Sequence, residues 1–326
     1  MNSTAFHTAI DAAIEAYLAH QRALGRGYAL EESVLYSLRD FLAQVQAADL
    51  DQCRFDGWCE LHRHLTANVR RSRQRIVRNF CLYRQRSESD CFVPEMNSFP
   101  QPQPYRPPIL LEPEQIGRML ALAARLSPTP GSPLRPAVLR MAIILLYTAG
   151  LRRGELLRLT LQDVEPQTGV LQIRESKFHK SRLIPLSLDA VAELQHYLRQ
   201  RMTLPLDAGP ASPLLCNFTR GKLGPYTGTG LRRGIHALFD AAGVYGSNGQ
   251  RPRIHDLRHS FALQALIRWY REGVDVQSRL PHLALYMGHV SIVSTAYYLR
   301  WVPSLAALAS DRFERSFGHL LQGEQP

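Results

Sequence analysis

Cysteine is scarce in this sequence and is not arranged for either of its structural roles. Five cysteines in 326 residues leave one thiol unpaired in any complete set of disulfides. No two of them have the CxxC spacing of a structural zinc site. They are Cys53, Cys59, Cys81, Cys91 and Cys216. We therefore expect reduced thiols and a fold that forms without disulfides or zinc.

Long hydrophobic runs are also missing. Asp11 and Glu15 interrupt the amino terminus before any apolar stretch is long enough for a signal sequence. No later segment is uniformly apolar over about 18 residues, the length that a membrane-spanning helix needs. The sequence therefore predicts neither export nor a membrane span, and it favours a cytoplasmic protein.

Acidic residues are too few to balance the basic ones. The chain has 28 Asp and Glu against 39 Lys and Arg, which gives a formal charge of +11. A surplus of this size attracts polyanions over long range, so nucleic acid is the first partner to consider. With 45% hydrophobic residues and this length, the chain can form two cores more readily than one.

A proline-rich segment marks the predicted domain boundary. Residues 98–108, SFPQPQPYRPP, contain five prolines, a composition that excludes helix and central strand. We therefore predict a helical DNA-binding domain over residues 1–104 and a second domain over residues 105–326. Helical spacing of Ile10, Ile14 and Leu18 supports the helical character of the first domain.

The sharpest feature of the first domain is a run of arginines. Eight of them occur between Glu60 and Glu88 without an intervening acid. On a helix, such a run can form a phosphate-facing surface, although arginine runs more often form a solvated face. Up to residue 104 the domain has 12 Arg and 12 Asp and Glu, so the argument rests on their segregation. The candidate DNA contacts are Arg70, Arg71, Arg73, Arg75 and Arg78.

The second domain is predicted to be mainly helical with a small antiparallel β-sheet. Residues 170–174 and 182–186 have strand-like patterns and are joined by the turn ESKFHKS, which carries Lys177 and Lys180. Helices are predicted from Pro113 onward and over the following segments. They are residues 136–147, 151–159, 190–202, 236–242, 257–270 and 303–320.

Arg152 is the first candidate for chemistry. It follows an apolar helix and Gly150, a position that places a guanidinium at the rim of a core rather than on an open helix face. A guanidinium fixed in this way can bind a phosphate with two parallel hydrogen bonds. The alternative is that Arg152 or Arg153 is a surface residue that pairs with Glu155.

A second group of candidates lies in the segment HDLRH. His255 and Arg258 are spaced i, i+3 and share a helix face, so one can transfer a proton while the other neutralises phosphate. His259 is expected to point aside. The spacing of the two histidines resembles a zinc motif, but the glutamate of HExxH is absent and Arg258 would repel a metal ion. A metal-free site is therefore favoured, with a zinc hydrolase as the weakest alternative.

The last candidates are His289 and Tyr298. His289 follows Gly288, which indicates a turn or the start of a helix, and alone it would be a hydrogen-bonded structural residue. Tyr297 and Tyr298 are adjacent, so on a helix they point about 100° apart and only one can face a given site. Together, these cations, proton donors and a phenol are suited to attack a phosphodiester.

These motifs resemble those of the tyrosine recombinases, the family of phage integrases, chromosome-dimer resolvases and transposon recombinases. TAGLRRGELLRLTLQDV resembles the first arginine motif, with Glu155 as its structural acid, and SKFHKSRLIPL resembles the β-hairpin that carries the catalytic lysine. HDLRHSFA resembles the second motif, and YMGHVSIVSTAYYL places the tyrosine nine residues after the histidine. The later part of the chain further resembles recombinases of transposons that encode several such enzymes in tandem.

The resemblance implies a fold, an activity and a set of catalytic residues. The fold is a helical core-binding domain followed by a mixed α/β catalytic domain with a carboxy-terminal tail helix. The activity is cutting and rejoining of DNA through a 3′-phosphotyrosyl intermediate, without metal or cofactor. The catalytic residues are Arg152, Lys177, His255, Arg258, His289 and Tyr298. Lys180 lies in the same turn as Lys177 and is a candidate DNA contact, and which of the two lysines is catalytic stays open.

The implied partner is double-stranded DNA, in a complex of four protomers on paired sites, with or without sister recombinases. The tail helix is expected to dock on a neighbouring protomer, and the protein is expected at the bacterial nucleoid. Two other activities stay open. A type IB topoisomerase uses the same chemistry on one duplex, and an architectural protein would bind recombination sites in a multi-recombinase complex without cutting them.

Overall fold

The computed structural model describes residues 3–174, 181–204, 208–219 and 222–289, with side chains from residue 10 onward. The predicted Lys177, Lys180 and Tyr298 and the predicted tail helix, residues 303–320, lie outside the described residues. The fold class is confirmed, because the structure is mainly helical with small antiparallel sheets. The chain divides into two compact units, Met1–Arg106 and Pro107–Pro326. Among the described helices, none is both long and apolar enough to cross a bilayer.

The first unit is built from four helices around one aromatic core. Leu35, Trp58, Val77 and Phe80 are almost fully buried in it. Asp51 caps the third helix by accepting a hydrogen bond from Arg54 N at 2.8 Å, which fixes where that helix begins. The helices are α1 (Ser3–Ala23), α2 (Ala29–Gln44), α3 (Gln52–Leu61) and α4 (Ala67–Arg84).

The second unit is organised around one helix, Arg135–Thr148, which is apolar on nearly every side. Residues from Val138 to Leu146 are almost all buried, because four other helices of the unit pack around this one. Its helices are α5 (Pro113–Ala124), α6 (Arg135–Thr148), α7 (Arg153–Arg158), α8 (Leu188–Met202), α9 (Gly228–Ala241), α10 (Ile254–Arg271) and α11 (Val276–Met287).

Two small antiparallel sheets complete the second unit. The predicted hairpin is present, since Leu171 pairs with Ile184 and Ile173 pairs with Arg182. A short edge strand precedes it, and a separate two-stranded sheet follows α8; neither was predicted from sequence. The strands are β1 (Val164–Glu165), β2 (Val170–Ile173), β3 (Arg182–Pro185), β4 (Cys216–Thr219) and β5 (Lys222–Pro225).

Helix α9 begins eight residues before the predicted start at residue 236. Its three glycines lower helix propensity, which hid the first two turns from sequence analysis. Tertiary contacts explain why it forms. Thr227 caps the helix by accepting a hydrogen bond from Gly230 N at 3.0 Å. A Cβ on Gly234 would lie 2.7 Å from Leu139, so glycine allows α9 to pack closely on α6.

Helix α11 was not predicted, and it changes the interpretation of Gly288. The sequence indicated a turn or the start of a helix at this glycine, but Gly288 ends α11 in the left-handed conformation, with φ of 65°. Its lack of a side chain permits that conformation. His289 N then donates a hydrogen bond to Ala284 O at 2.8 Å, so His289 is held directly beyond the helix end.

Candidate functional site

The candidate site lies where four elements of the second unit meet: the start of α7, the start of β3, the start of α10 and the end of α11. Gly150, with φ of 59°, turns the chain between α6 and α7. A Cβ at this position would lie 2.5 Å from Phe261, so only glycine lets the turn pack against α10. This turn places Arg152 directly before α7.

Arg152 is held by three hydrogen bonds on two sides. Its Nη1 donates to Glu155 Oε1 at 2.7 Å, and its backbone N donates to Glu155 Oε2 at 2.9 Å. On the other side, Nη2 donates to Gly288 O at 2.7 Å. The side chain keeps 26% of its surface exposed, so the guanidinium is fixed in orientation and still open to a ligand. The pairing with Glu155 and the fixed guanidinium were alternatives in the sequence analysis, and the structure shows both.

Arg258 is a buried cation, with only 1% of its surface exposed. Its Nη1 donates to Gly150 O, and its Nη2 donates to Met287 O at 2.7 Å. The same Nη2 lies 3.1 Å from His289 Nε2. Arg258 therefore joins the turn before Arg152 to the end of α11 that carries His289.

The four described members of the predicted set thus come together, although His259 does not lie aside as expected. The rings of His255 and His259 are in edge contact, with centroids 4.5 Å apart. The physical reason is helix geometry, because residues four apart differ by about 40° around a helix, less than residues three apart. Buried Asp256 accepts hydrogen bonds from Arg253 and holds the first turn of α10, which carries His255.

Burial and neighbouring guanidiniums favour the neutral form of the site histidines. Burial, then the charges of Arg258 and Arg152, lower the pKa of His289 to about 4. Burial, followed by the charge of His255, lowers the pKa of His259 to about 3. The pKa of His255 is also lowered, by partial burial of its ring and then by the charge of Arg258. His255 is more exposed to water than the other two histidines, which weakens this effect. At neutral pH these rings are therefore uncharged, able to accept or donate one proton.

The lowered histidine pKa values predict that the protein loses stability in mild acid. Unfolded histidines have a pKa of about 6.5, so below that pH the unfolded state takes up protons that the folded state refuses. The free energy of unfolding should therefore fall as the pH decreases from 7 to 5, by up to about 2 kcal/mol for each ring that stays neutral. Denaturant titrations at the two pH values measure the change.

A histidine variant tests the origin of this pH dependence. His259→Gln should lose less stability between pH 7 and 5 than the unsubstituted protein, because it removes one ring that the fold keeps neutral. The control is His196→Gln, at an exposed position on α8. If His259→Gln loses as much stability between pH 7 and 5 as the parent and His196→Gln do, His259 is not a source of the pH dependence.

Arg182, at the start of β3, is a residue of this network that sequence analysis did not single out. Its side chain is 8% exposed. Its two terminal nitrogens donate to the two oxygens of Glu155 at 3.1 and 2.9 Å, and Nε donates to Tyr286 O at 2.8 Å. The signal was present in the strand pattern, because Arg182 shares a face with buried Ile184 while Leu183 is exposed. A charge on the buried face of a strand needs a partner.

The predicted DNA-contacting arginines of the first unit separate into two rows on α4. Arg71, Arg75 and Arg78 lie within about 60° of one another around the helix and form what we call the α4 stripe. Arg70 and Arg73 form the second row, in line with fully buried Val77. Arg75 is exposed, and the other four of these arginines are half-buried.

Arg84, the seventh arginine of the run, does not belong to a phosphate-facing surface. It is 8% exposed and forms ion pairs with Asp49 at 2.8 Å and Glu88 at 2.5 Å. The expectation of eight phosphate-facing arginines is therefore wrong for this one. A helix 18 residues long must turn some positions of any run toward its own core.

Comparison with known proteins gives matches over most of the chain. The model of the phage integrase family matches residues 110–303. The putative integrase/recombinase y4rE of Sinorhizobium fredii is 32% identical over 95% of this chain and 97% of its own length. The tyrosine recombinase XerD of Caulobacter vibrioides is 34% identical over 60% of this chain and 59% of its own length.

The fold also matches a solved structure over nearly the whole chain. The integrase of the transposon Tn1549, in a complex with circular intermediate DNA, superposes with a TM-score of 0.61 at 18% identity. The match covers 93% of this chain and 99% of that one. Both units of the chain therefore lie within a known architecture.

Proposed function

Since the chain belongs to the phage integrase family of tyrosine recombinases, enzymes that cut and rejoin DNA, we propose that it is a site-specific recombinase acting through a 3′-phosphotyrosyl intermediate. One observation carries this proposal: Arg152, Arg258 and His289 converge at the end of α11. Two fixed guanidiniums and an imidazole are suited to bind the non-bridging oxygens of one phosphate.

The proposed cleavage step breaks one P–O bond and forms another. The phenol oxygen of Tyr298 attacks the scissile phosphorus, and the 5′-oxygen of the next nucleotide leaves. Negative charge develops on the non-bridging oxygens in the transition state. Arg152, Arg258 and His289 stabilise that charge by hydrogen bonds that are already oriented before DNA arrives.

Two protons move in this step. A phenol with a pKa of about 10 is a weak nucleophile at neutral pH, so its proton must leave during attack. We assign that proton to His255, whose lowered pKa keeps the ring neutral and able to accept it. Lys177 supplies the proton that the departing 5′-oxygen takes up. Arg152 and Arg258 stabilise the developing phenolate by their charge.

The covalent intermediate conserves the energy of the phosphodiester. A 5′-hydroxyl of a second DNA strand attacks the phosphotyrosine, displaces Tyr298 and reseals the backbone. Strand exchange then needs no ATP, and the proposed steps draw on side chains alone. Exchange between two duplexes requires four such sites, so we propose four protomers on paired DNA sites. The mass of the complex on paired sites, measured by light scattering, checks this number, and any other value rejects it.

The test of this function is direct trapping of the intermediate. The protein is incubated, in the presence of EDTA, with a nicked duplex that bears its DNA site and loses a short fragment after cleavage. We expect a protein–DNA species that survives a denaturing gel, because the lost fragment prevents resealing. If the protein binds the site and forms no such species, the architectural DNA-binding function replaces the proposed one.

We propose that the first unit is the core-binding domain and that the α4 stripe contacts the DNA backbone. Its arginines face one side of α4, whereas Arg84 is neutralised by carboxylates. Each phosphate contact contributes about −0.9 to the slope of log affinity against log salt. Replacing Arg71, Arg75 and Arg78 by glutamine should therefore make the slope shallower by about 2 to 3.

The control for the stripe removes an arginine from another helix of the same unit. Arg54→Gln on α3 removes a cation that is already paired with Asp51. We expect the salt slope of this variant to stay within about 0.5 of the parent. A stripe variant whose slope also stays unchanged would show that α4 does not contact phosphate.

A further inference from the structure

We propose that Arg182 is a positioning residue of the site, one that holds the β2–β3 hairpin, the carboxylate of Glu155 and the end of α11 in a fixed arrangement. This inference rests on the proposed recombinase function for its catalytic consequence, but its structural part is independent of DNA. The side-chain nitrogens of Arg182 donate to Glu155 and to Tyr286 O, so we assign it a positioning role and no contact with substrate.

The end of α11 provides the first argument. Three successive backbone carbonyls at this helix end accept hydrogen bonds from three different arginines. Tyr286 O accepts from Arg182, Met287 O from Arg258 and Gly288 O from Arg152, at 2.8, 2.7 and 2.7 Å. A helix end leaves its last carbonyls without partners inside the helix, and cations there are favourable. The position of His289 therefore depends on all three guanidiniums, of which Arg182 is one.

The carboxylate of Glu155 provides the second argument. It is buried, with 1% of its side chain exposed, and both oxygens accept from Arg182 while each also accepts from Arg152. Burial raises the pKa of Glu155, but the hydrogen bonds from Arg182 and then Arg152 outweigh it and lower the pKa to about 2. A buried carboxylate with one cation removed is costly to keep ionised. Arg182 therefore keeps Glu155 charged, and Glu155 in turn orients Arg152.

The location of Arg182 in the chain links this network to the hairpin. Arg182 begins β3 and pairs with Ile173, the last residue of β2. The sequence between these two residues contains Lys177. A guanidinium at this position fixes the base of the hairpin relative to Arg152 and His289. The strand that follows the Lys177 segment is thereby held in position relative to the rest of the site.

The fit at Gly288 supports a close and specific contact. A Cβ on this glycine would lie 2.7 Å from Arg182 Nη1 and 3.0 Å from its Cζ. The guanidinium of Arg182 thus occupies the space that any other residue at position 288 would need. Gly288 thus permits the left-handed turn and also leaves room for the guanidinium of Arg182.

The experiment compares Arg182→Gln and Arg182→Lys with a matched hairpin variant, Arg174→Gln. Arg174 directly follows β2, carries the same charge and bonds to Asp163 instead of Glu155. For each variant we measure the affinity for the DNA site and the single-turnover rate of covalent complex formation. We expect Arg182→Gln to slow cleavage on the order of 100-fold, because small misplacements of catalytic groups have effects of this size. Its DNA affinity should stay within about twofold, because a positioning residue does not contact DNA.

Arg182→Lys should recover part of the rate, because an ammonium keeps Glu155 charged but cannot span two oxygens and a carbonyl. Arg174→Gln should cleave within about threefold of the parent. Equal losses in Arg174→Gln and Arg182→Gln, or a loss of DNA affinity that accounts for the slower cleavage, would overturn the proposal. Cleavage by Arg182→Gln at the parent rate would also overturn it.

A second measurement needs no DNA and separates this inference from the proposed function. The contribution of Glu155 to stability is fully present above its unfolded pKa of about 4.5 and is lost as the pH falls toward 2. Removing Arg182 raises the folded pKa, so the stability difference between the parent and Arg182→Gln should shrink between about pH 6 and pH 2.5. A difference that is constant over this range contradicts the proposed link between Arg182 and Glu155, whether or not the protein cleaves DNA.

Discussion

Tyr298→Phe should abolish the covalent protein–DNA complex while leaving binding to the DNA site intact. The substitution removes one oxygen, the atom that we assign as the nucleophile, and changes little else about the side chain. Loss of a catalytic nucleophile lowers rates on the order of 10³-fold or more, because the remaining groups cannot form the covalent bond. The measurement is the denaturing gel on nicked duplex, with binding followed separately by gel shift.

The chain offers a matched control beside the nucleophile. Tyr297→Phe makes the same chemical change one residue earlier, and on a helix the two side chains point about 100° apart. We expect Tyr297→Phe to form the covalent complex at a rate within a few-fold of the parent. If Tyr297→Phe loses the complex and Tyr298→Phe keeps it, the nine-residue spacing from His289 has identified the wrong tyrosine. If both variants keep it, the nucleophile is another residue.

Arg152, His255, Arg258 and His289 could be identified individually from sequence because each lies in a short local motif, and their convergence was implied by the resemblance to tyrosine recombinases. Arg152 follows a glycine that must turn, and His255 and Arg258 are fixed on one helix by their spacing. What the sequence did not contain was the element that brings His289 to them. Helix α11 has a proline inside it, at position 281, which obscured the helical pattern, and its end is fixed by three arginines distant in sequence.

Arg182 shows why ion pairs between distant residues cannot be predicted from local sequence patterns. Its partner Glu155 lies 27 residues away and its other partner, Tyr286 O, lies 104 residues away. Strand alternation indicates that Arg182 faces inward but does not identify the acid that it meets. The arginine run shows that composition alone does not predict which cations face solvent. Six of its eight arginines lie on α4, and the helix separates them into the α4 stripe, a second row in line with Val77, and Arg84 with its buried ion pairs.

Arg258→Lys is the second substitution with a large expected effect, because it affects both catalysis and stability. Lysine keeps the charge but cannot donate at once to Gly150 O, Met287 O and a phosphate oxygen. Loss of one oriented donor to a developing oxyanion costs about 10²- to 10³-fold in rate. We therefore expect covalent complex formation to slow by that factor, measured under single-turnover conditions at saturating DNA.

The stability effect distinguishes Arg258 from Arg152, although both are proposed to bind the same phosphate. Arg258 is 1% exposed, so a backbone carbonyl that loses its donor there is left unsatisfied away from water, at a cost of about 1–3 kcal/mol. Arg152 is 26% exposed, and water can replace part of its hydrogen bonding. Denaturant titrations should therefore show a larger loss of unfolding free energy for Arg258→Lys than for Arg152→Lys.

An exposed arginine at the other end of α10 supplies the control for these two substitutions. Arg271→Lys makes the same exchange of guanidinium for ammonium, far along the helix from His255. We expect neither its cleavage rate nor its stability to change measurably. If Arg258→Lys were as stable as the parent and as fast in cleavage, then a single ammonium would suffice at this position. The hydrogen bonds that the guanidinium of Arg258 donates to Gly150 O and Met287 O would then be dispensable for both stability and catalysis.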